Sequence, residues 1–231
     1  MIGTVRDPND RRKTGYLQAI ASKLPGKLEF VKADLLQEGS FDAAVKGCVH
    51  VYHCASPFLR NVESEGIDAV NERLIAPAVQ GTTNVMNAVA KAKDTVKCVA
   101  LTASCASISG FQPTDKPVNG ISYTEEDWNT SSTRTKGAYL LSKVMAEKAA
   151  WDIAKKESIK LCVINPSFVI GPSPIDRNDG VSIEFGINLL KTGKITLGGF
   201  PCIVEVTDFS IASVKLCCQP CQVHGKVCVT S

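Results

Sequence analysis

Five short, largely apolar runs, alternating with segments of helical period, constrain the fold of this chain more than any other feature. They are 2–5, 28–33, 49–55, 97–104 and 159–165, each four to eight residues long. Several are apolar throughout rather than alternating, the pattern of strands buried on both faces of a parallel sheet. The segments between them (12–24, 40–46, 67–92 and 137–157) carry apolar residues three or four apart and read as helices. Pro77 has no N–H to donate and is expected to start or kink its helix. Strand and helix in alternation predict an α/β fold with a doubly wound parallel sheet. After Gly171 the texture changes to a Pro-, Gly-, Asn- and Asp-rich loop, a helical pattern over 180–193 and short strand-like runs.

Composition narrows the class of partner. Of 231 residues 44% are apolar and 21% charged, enough to bury a sizeable core. The formal charge is +3, spread without blocks, which argues against nucleic acid or an anionic membrane as the partner and leaves a polyanionic small molecule open. No run approaches the roughly 20 apolar residues of a membrane span, and the opening MIGTVRDPNDRRK holds no secretory core. Ten cysteines, most of them inside apolar runs, fall below a disulfide-scaffold composition. A reducing, cytoplasmic location is expected.

The sharpest chemical feature is Tyr139 and Lys143. At a spacing of four on a helix, phenol and ammonium share one face, and the cation is expected to draw the phenol's pKa down toward working pH. A phenol so tuned exchanges protons with a carbonyl or alcohol oxygen. Ser104 ends the strand over 97–104, at the carboxyl edge where ligands bind in open α/β sheets; a serine capping a turn is the alternative. The strand after the Tyr-Lys helix ends in Asn165, Pro166 and Ser167, then Val169-Ile-Gly-Pro172, at the same edge.

A strand-end Ser, then Tyr-x-x-x-Lys, then Asn-Pro-Ser-x-x-x-Gly-Pro resembles the extended short-chain dehydrogenase/reductases, the NAD-dependent epimerase/dehydratase family. More narrowly the chain resembles its dihydroflavonol 4-reductase and cinnamoyl-CoA reductase branch. The resemblance is carried by 3–10, 27–48, 51–58, 77–88, 139–151 and 164–174, in order. It implies a Rossmann-like NAD(P)-binding domain over 1–172 and a partial substrate lobe with returning Rossmann elements over 173–231. It implies that Ser104 holds the substrate oxygen, that Tyr139 moves the proton, and that Lys143 tunes the phenol and holds the nicotinamide ribose. Arg6 and Lys13 correspond to the grip on the adenosine 2′-phosphate, so NADP is expected over NAD, with Asp7 a complication. Asp34 and Leu35 correspond to the adenine contacts. Cys54 (through its backbone), Ala55 and Ser56 correspond to the triplet beneath the cofactor, Pro166 and Ser167 to contacts at its nicotinamide end, and Ser182 to a later cofactor contact. The substrate implied is a small carbonyl compound or alcohol, and pairing of the long helices implies a homodimer. No metal is expected, the run Cys217-Cys218-x-x-Cys221-x-x-His224 reading as packing.

The chain departs from the pattern in lacking the family's first strand and its Gly-x-x-Gly-x-x-Gly loop, a helix N-terminus that holds pyrophosphate. It starts at what corresponds to the second strand. A split sheet with unpaired inner edges is therefore expected. HGKVCVTS (224–231) resembles the strand entering the last section of the substrate lobe. Ser109 and the run over 202–210 depart from the flavonoid-reducing pattern. Beside the reductase stand two alternatives: a non-catalytic nucleotide-binding or scaffold relative, and a fragment of a longer reductase.

Overall fold

The computed structural model describes residues 1–57, 59, 62–110, 115–120, 122–167, 187 and 227–230. The elements run β1 (Ile2–Val5), α1 (Arg11–Ala21), β2 (Glu29–Lys32), α2 (Asp42–Val45), β3 (His50–His53), α3 (Ile67–Val70), α4 (Ala76–Lys91), β4 (Cys98–Thr102), α5 (Ala138–Glu157), β5 (Leu161–Ile164) and β6 (Val227–Thr230). The strands and helices of residues 1–167 lie where periodicity placed them, β1 with the same bounds and β2 to β5 a residue or two shorter at their ends.

The helix over 67–92 shows how Pro77 is accommodated. Asn71–Ile75 form a π-helical turn between α3 and α4, and Pro77 sits in the first turn of α4. An α-helical bond from residue 77 to the carbonyl of Arg73 is impossible without an N–H, and the wider turn absorbs the mismatch while the axis continues.

The six strands form one parallel sheet, in the order β2-β1-β6-β3-β4-β5. Expectation and structure part here. The sheet is not split: β6 lies between β1 and β3, pairing Ile2 with Cys228 on one side and Val51 with Cys228 on the other. The described part of 224–231 is thus the central strand of the sheet and not part of a substrate lobe. The physical reason is backbone satisfaction. Two inner edges with buried N–H and C=O groups need a partner, and Val-Cys-Val-Thr is a β-prone run of the right length. With β6 standing as strand 1, the spatial order is the 3-2-1-4-5-6 of dinucleotide-binding sheets.

Side chains lock β6 in place. Cys228 and Thr230 are fully buried, Thr230 Oγ1 lies 2.8 Å from His53 Nδ1, and the Cys54 amide donates to the Thr230 carbonyl at 3.2 Å. The core beneath joins Ile2, Val51, Val99, Leu101 and Cys228 of the sheet to Val85, Met86 and Val89 of α4 and Ala150 and Ala154 of α5. Gly81 permits a close approach: a β-carbon there would stand 3.0 Å from Leu35 Cβ. Among the described residues the six cysteines form no disulfide, no helix is long and apolar enough to cross a membrane, and no acidic, His or Cys cluster could hold a metal. The run over 217–224, the patterns over 180–193 and 202–210, and the 172/173 boundary lie outside the described residues.

Candidate active site

Because all six strands are parallel, their carboxyl ends share one edge, and nearly every residue singled out in the sequence emerges there. Arg6 follows β1, Asp34 and Leu35 follow β2, Cys54 to Ser56 follow β3, Ser104 follows β4, and Pro166 and Ser167 follow β5. Lys13 lies in the first turn of α1, and Tyr139 and Lys143 lie in the first two turns of α5. Ser182 lies outside the described residues. The strand order reverses between β6 and β3, the crevice where open α/β sheets take ligands.

The catalytic candidates do meet. The Ser104 hydroxyl accepts from the Ala106 amide at 3.2 Å, capping the turn that follows β4, and faces the Tyr139 phenol, whose pKa it lowers; Lys143 Nζ sits 5.4 Å from the centre of the Tyr139 ring. Lys143 is 7% exposed; burial, the largest influence on it, lowers its pKa to about 8. Lys143 also shares a small cleft with Ala55, Ser56, Thr102, Ala103 and Glu147. The expected electrostatics of the phenol are corrected. Burial raises the Tyr139 pKa above its usual value, Ser104 opposes that, and Cys105 adds to it. Lys143 lies over the ring and is not among the influences that set the phenol's pKa. A phenol held protonated is a proton donor.

Local sequence explains the placement of α5. Gly137 precedes it with φ 86°, a left-handed conformation that favours glycine, and no side chain at that position caps the helix. Glu63 supplies the missing cap, its Oε1 accepting from the amides of Gly137 and Ala138, beside Tyr139. The apolar cluster of Val62, Val70, Leu74, Ile75 and Ala138 packs against the Tyr139 ring and Met145. Glu63 escaped the sequence reading because it caps a helix more than seventy residues away, and no local pattern marks it.

At the other end of the edge, Arg6 and Lys13 are exposed cations that form no ion pair among the described residues. The nearby carboxylates are engaged elsewhere: Asp7 accepts from the Asn9 amide, and Asp10 caps α1 and pairs with Arg12. Two unpaired cations beside the end of β1 fit a phosphate dianion. Asn84 of α4 donates to the Leu35 carbonyl at 2.7 Å, and Asp34 Oδ1 accepts from the Leu36 amide, which shapes the loop where an adenine would rest.

His53 ties the site to the sheet. It is 1% exposed between Thr230 and Thr82, and burial, reinforced by the Lys143 charge, lowers its pKa to about 4. The unfolded chain binds this proton below about pH 6.5, whereas the folded chain does so only near pH 4. His53 therefore costs nothing above pH 6.5, and stability falls as pH drops from 6.5 toward 4, by about 3 kcal/mol over that window. Glu147, buried with a raised pKa, acts in the opposite direction. The difference between wild type and His53→Gln isolates the histidine: urea midpoints measured at pH 7 and 4.5 should fall less in the variant. Parallel pH curves would refute the assignment.

A profile of the NAD dependent epimerase/dehydratase family matches residues 5–204. The chain is 40% identical over 220 residues to cinnamoyl-CoA reductase CAD2 of Medicago truncatula, covering 92% of this chain and 64% of that protein. It is 37% identical over 169 residues to dihydroflavonol 4-reductase of Gerbera hybrida, covering 73% of this chain and 44% of that protein. Among solved structures it resembles a yeast methylglyoxal/isovaleraldehyde reductase complexed with NADPH, with TM-score 0.65 and 27% identity over 82% of this chain and 58% of that one. The chain thus spans less than two thirds of each.

Proposed function

The chain belongs to the NAD dependent epimerase/dehydratase family, in its dihydroflavonol 4-reductase and cinnamoyl-CoA reductase-like branch, and from that premise we propose that it is an NADP-dependent reductase of ketones or aldehydes. The observation that carries the reading is the meeting of Ser104, Tyr139 and Lys143 at the carboxyl edge of the sheet. NADPH, when bound, supplies the hydride that reduces the carbonyl carbon. The residues do the rest. Ser104 donates a hydrogen bond to the carbonyl oxygen and orients it toward Tyr139. Tyr139, protonated in its buried setting, gives its proton to that oxygen as negative charge develops there, and the product is an alcohol. Lys143 would hold the nicotinamide ribose, and solvent returns a proton to Tyr139.

In this reading the cofactor domain of residues 1–172 takes its central strand from the 173–231 segment. Arg6, Lys13 and Asp34 at one end of the edge and Pro166 and Ser167 at the other would hold the dinucleotide. From β1 to β4 is three strand spacings, roughly 14 Å.

The test is direct. The purified chain should bind NADPH and oxidise it in the presence of cinnamaldehyde or methylglyoxal. Binding without turnover on either would favour the non-catalytic alternative. Arg6→Ala should weaken NADPH binding about 10- to 100-fold, the worth of a lost charge-assisted contact, and leave NADH binding within about twofold. Equal weakening of both would remove Arg6 from the 2′-phosphate.

A further inference from the structure

Glu147 is a buried carboxyl that the proposed mechanism does not use. It lies one turn beyond Lys143 on the same face of α5, is 5% exposed, and lines the cleft that Lys143 lines. The two form no ion pair. Trp151 Nε1 donates to Glu147 Oε1 at 3.3 Å. The side chains of Ser107 and Asn165 also face the carboxyl and oppose the upward push of burial on its pKa, although neither aligns well: Glu147 Oε2 and Ser107 Oγ have no partner of good geometry. A neutral carboxyl has an O–H to offer such an acceptor, whereas a carboxylate has none.

Asn165 gives this cluster its reach. Its Oδ1 accepts the Ser104 amide at 3.1 Å. On either side, the amides of Ala103 and Cys105 donate to the backbone carbonyls of Ile164 and Pro166. The Asn165 side chain therefore provides the acceptor for the amide of the residue whose hydroxyl faces Tyr139. An amide side chain serves as acceptor in one of its two flipped orientations and presents donors in the other, so whatever faces its NH2 decides which it adopts. The group facing it is Glu147.

We propose that Glu147 is a positioning residue: it orients Asn165, which holds the Ser104 backbone and so aims the Ser104 hydroxyl at the substrate oxygen beside Tyr139. The proposal rests on the reductase reading. In it Glu147 acts on Ser104 through Asn165.

The experiment compares Glu147→Gln and Glu147→Met in the full chain, by kcat and KM with NADPH and whichever probe carbonyl wild type reduces, by amide hydrogen exchange at Ser104, and by thermal unfolding. Gln keeps a donor and an acceptor, and should leave kcat within about threefold and Ser104 protected. Met fills the same volume without polar atoms, a replacement that buried ionisable groups commonly tolerate without loss of stability. It should lower kcat about 10- to 100-fold, the scale of a slightly misplaced catalytic group, keep KM for NADPH within about twofold, and speed exchange at Ser104. Unchanged kcat and exchange in the Met variant would overturn the proposal, as would a lower melting temperature with kcat per folded molecule intact. Should the Met variant not fold, Asn165→Ala is read in the same way, and retained protection at Ser104 with full kcat overturns it. If wild type reduces neither probe, the reductase reading fails, while the exchange comparison still decides whether Glu147 governs the Ser104 amide.

Discussion

A chain ending at Lys226 should lose its cooperative unfolding transition. The cut removes β6, which pairs at three positions with β1 and at four with β3. Without it, the inner edges of both strands carry buried N–H and C=O groups with no partner, each costing about 1–3 kcal/mol. Cys228 and Thr230, both fully buried, leave a slot through the middle of the core, and His53 Nδ1 loses its 2.8 Å contact with Thr230. The summed cost is on the order of 10 kcal/mol, as large as the whole net stability of an ordinary domain, about 5–15 kcal/mol. Urea titration followed by circular dichroism should show a gradual, featureless loss of signal, and the truncated chain should aggregate through its open edges. Val229→Pro in the full chain checks the same point without shortening it, because proline cannot donate to a ladder in a central strand. A sharp transition at the wild-type midpoint in both variants would remove β6 from the centre of the sheet.

Tyr139→Phe is expected to lower kcat about 10²- to 10⁴-fold, the range attributed to a single general acid, while NADPH affinity stays within about twofold. The variant is clean because the structure separates the roles of the ring and the hydroxyl. The ring packs against the cluster of Val70, Leu74 and Ala138 and lies beneath the Lys143 ammonium, and phenylalanine keeps both contacts. The hydroxyl faces Ser104, and that contact is lost. Single-turnover absorbance of NADPH with cinnamaldehyde or methylglyoxal measures the step, and fluorescence titration measures affinity. Turnover within about threefold of wild type would take the proton from Tyr139 and leave the reductase reading without its acid.

Local chemistry was legible wherever the deciding interactions lie within a few residues. Largely apolar runs marked β1, β3 and β4 because a strand covered on both faces has little polar side to show. Pro77 marked the irregularity in its helix because its missing N–H acts within one turn. Tyr139 and Lys143 were readable for the same reason, as was the gathering of Ser104, Cys54 and Pro166 at one edge, which follows from strands that all run in one direction.

Interactions across long stretches of chain were not legible. The electrostatic reading of Tyr139 took helix spacing as closeness of charges, yet the phenol responds chiefly to burial, which the neighbours along α5 do not set. Glu63 reaches the start of α5 from the far side of α3, and Asn165 reaches Ser104 from β5, each through a contact whose two ends share no sequence pattern. The place of β6 is the largest case. Val-Cys-Val-Thr announces a strand but carries no address, since backbone hydrogen bonds in a parallel sheet are the same for every sequence.

The sequence by itself determined which segments become strands and helices, which way the strands run, and which side chains arrive at the shared edge, because periodicity, turn chemistry and residue spacing act locally. The tertiary structure alone decided that the last strand closes the centre of the sheet and that burial raises the Tyr139 pKa. Unpaired buried backbone, and a phenol's distance from water, are properties of the assembled core rather than of any stretch of chain.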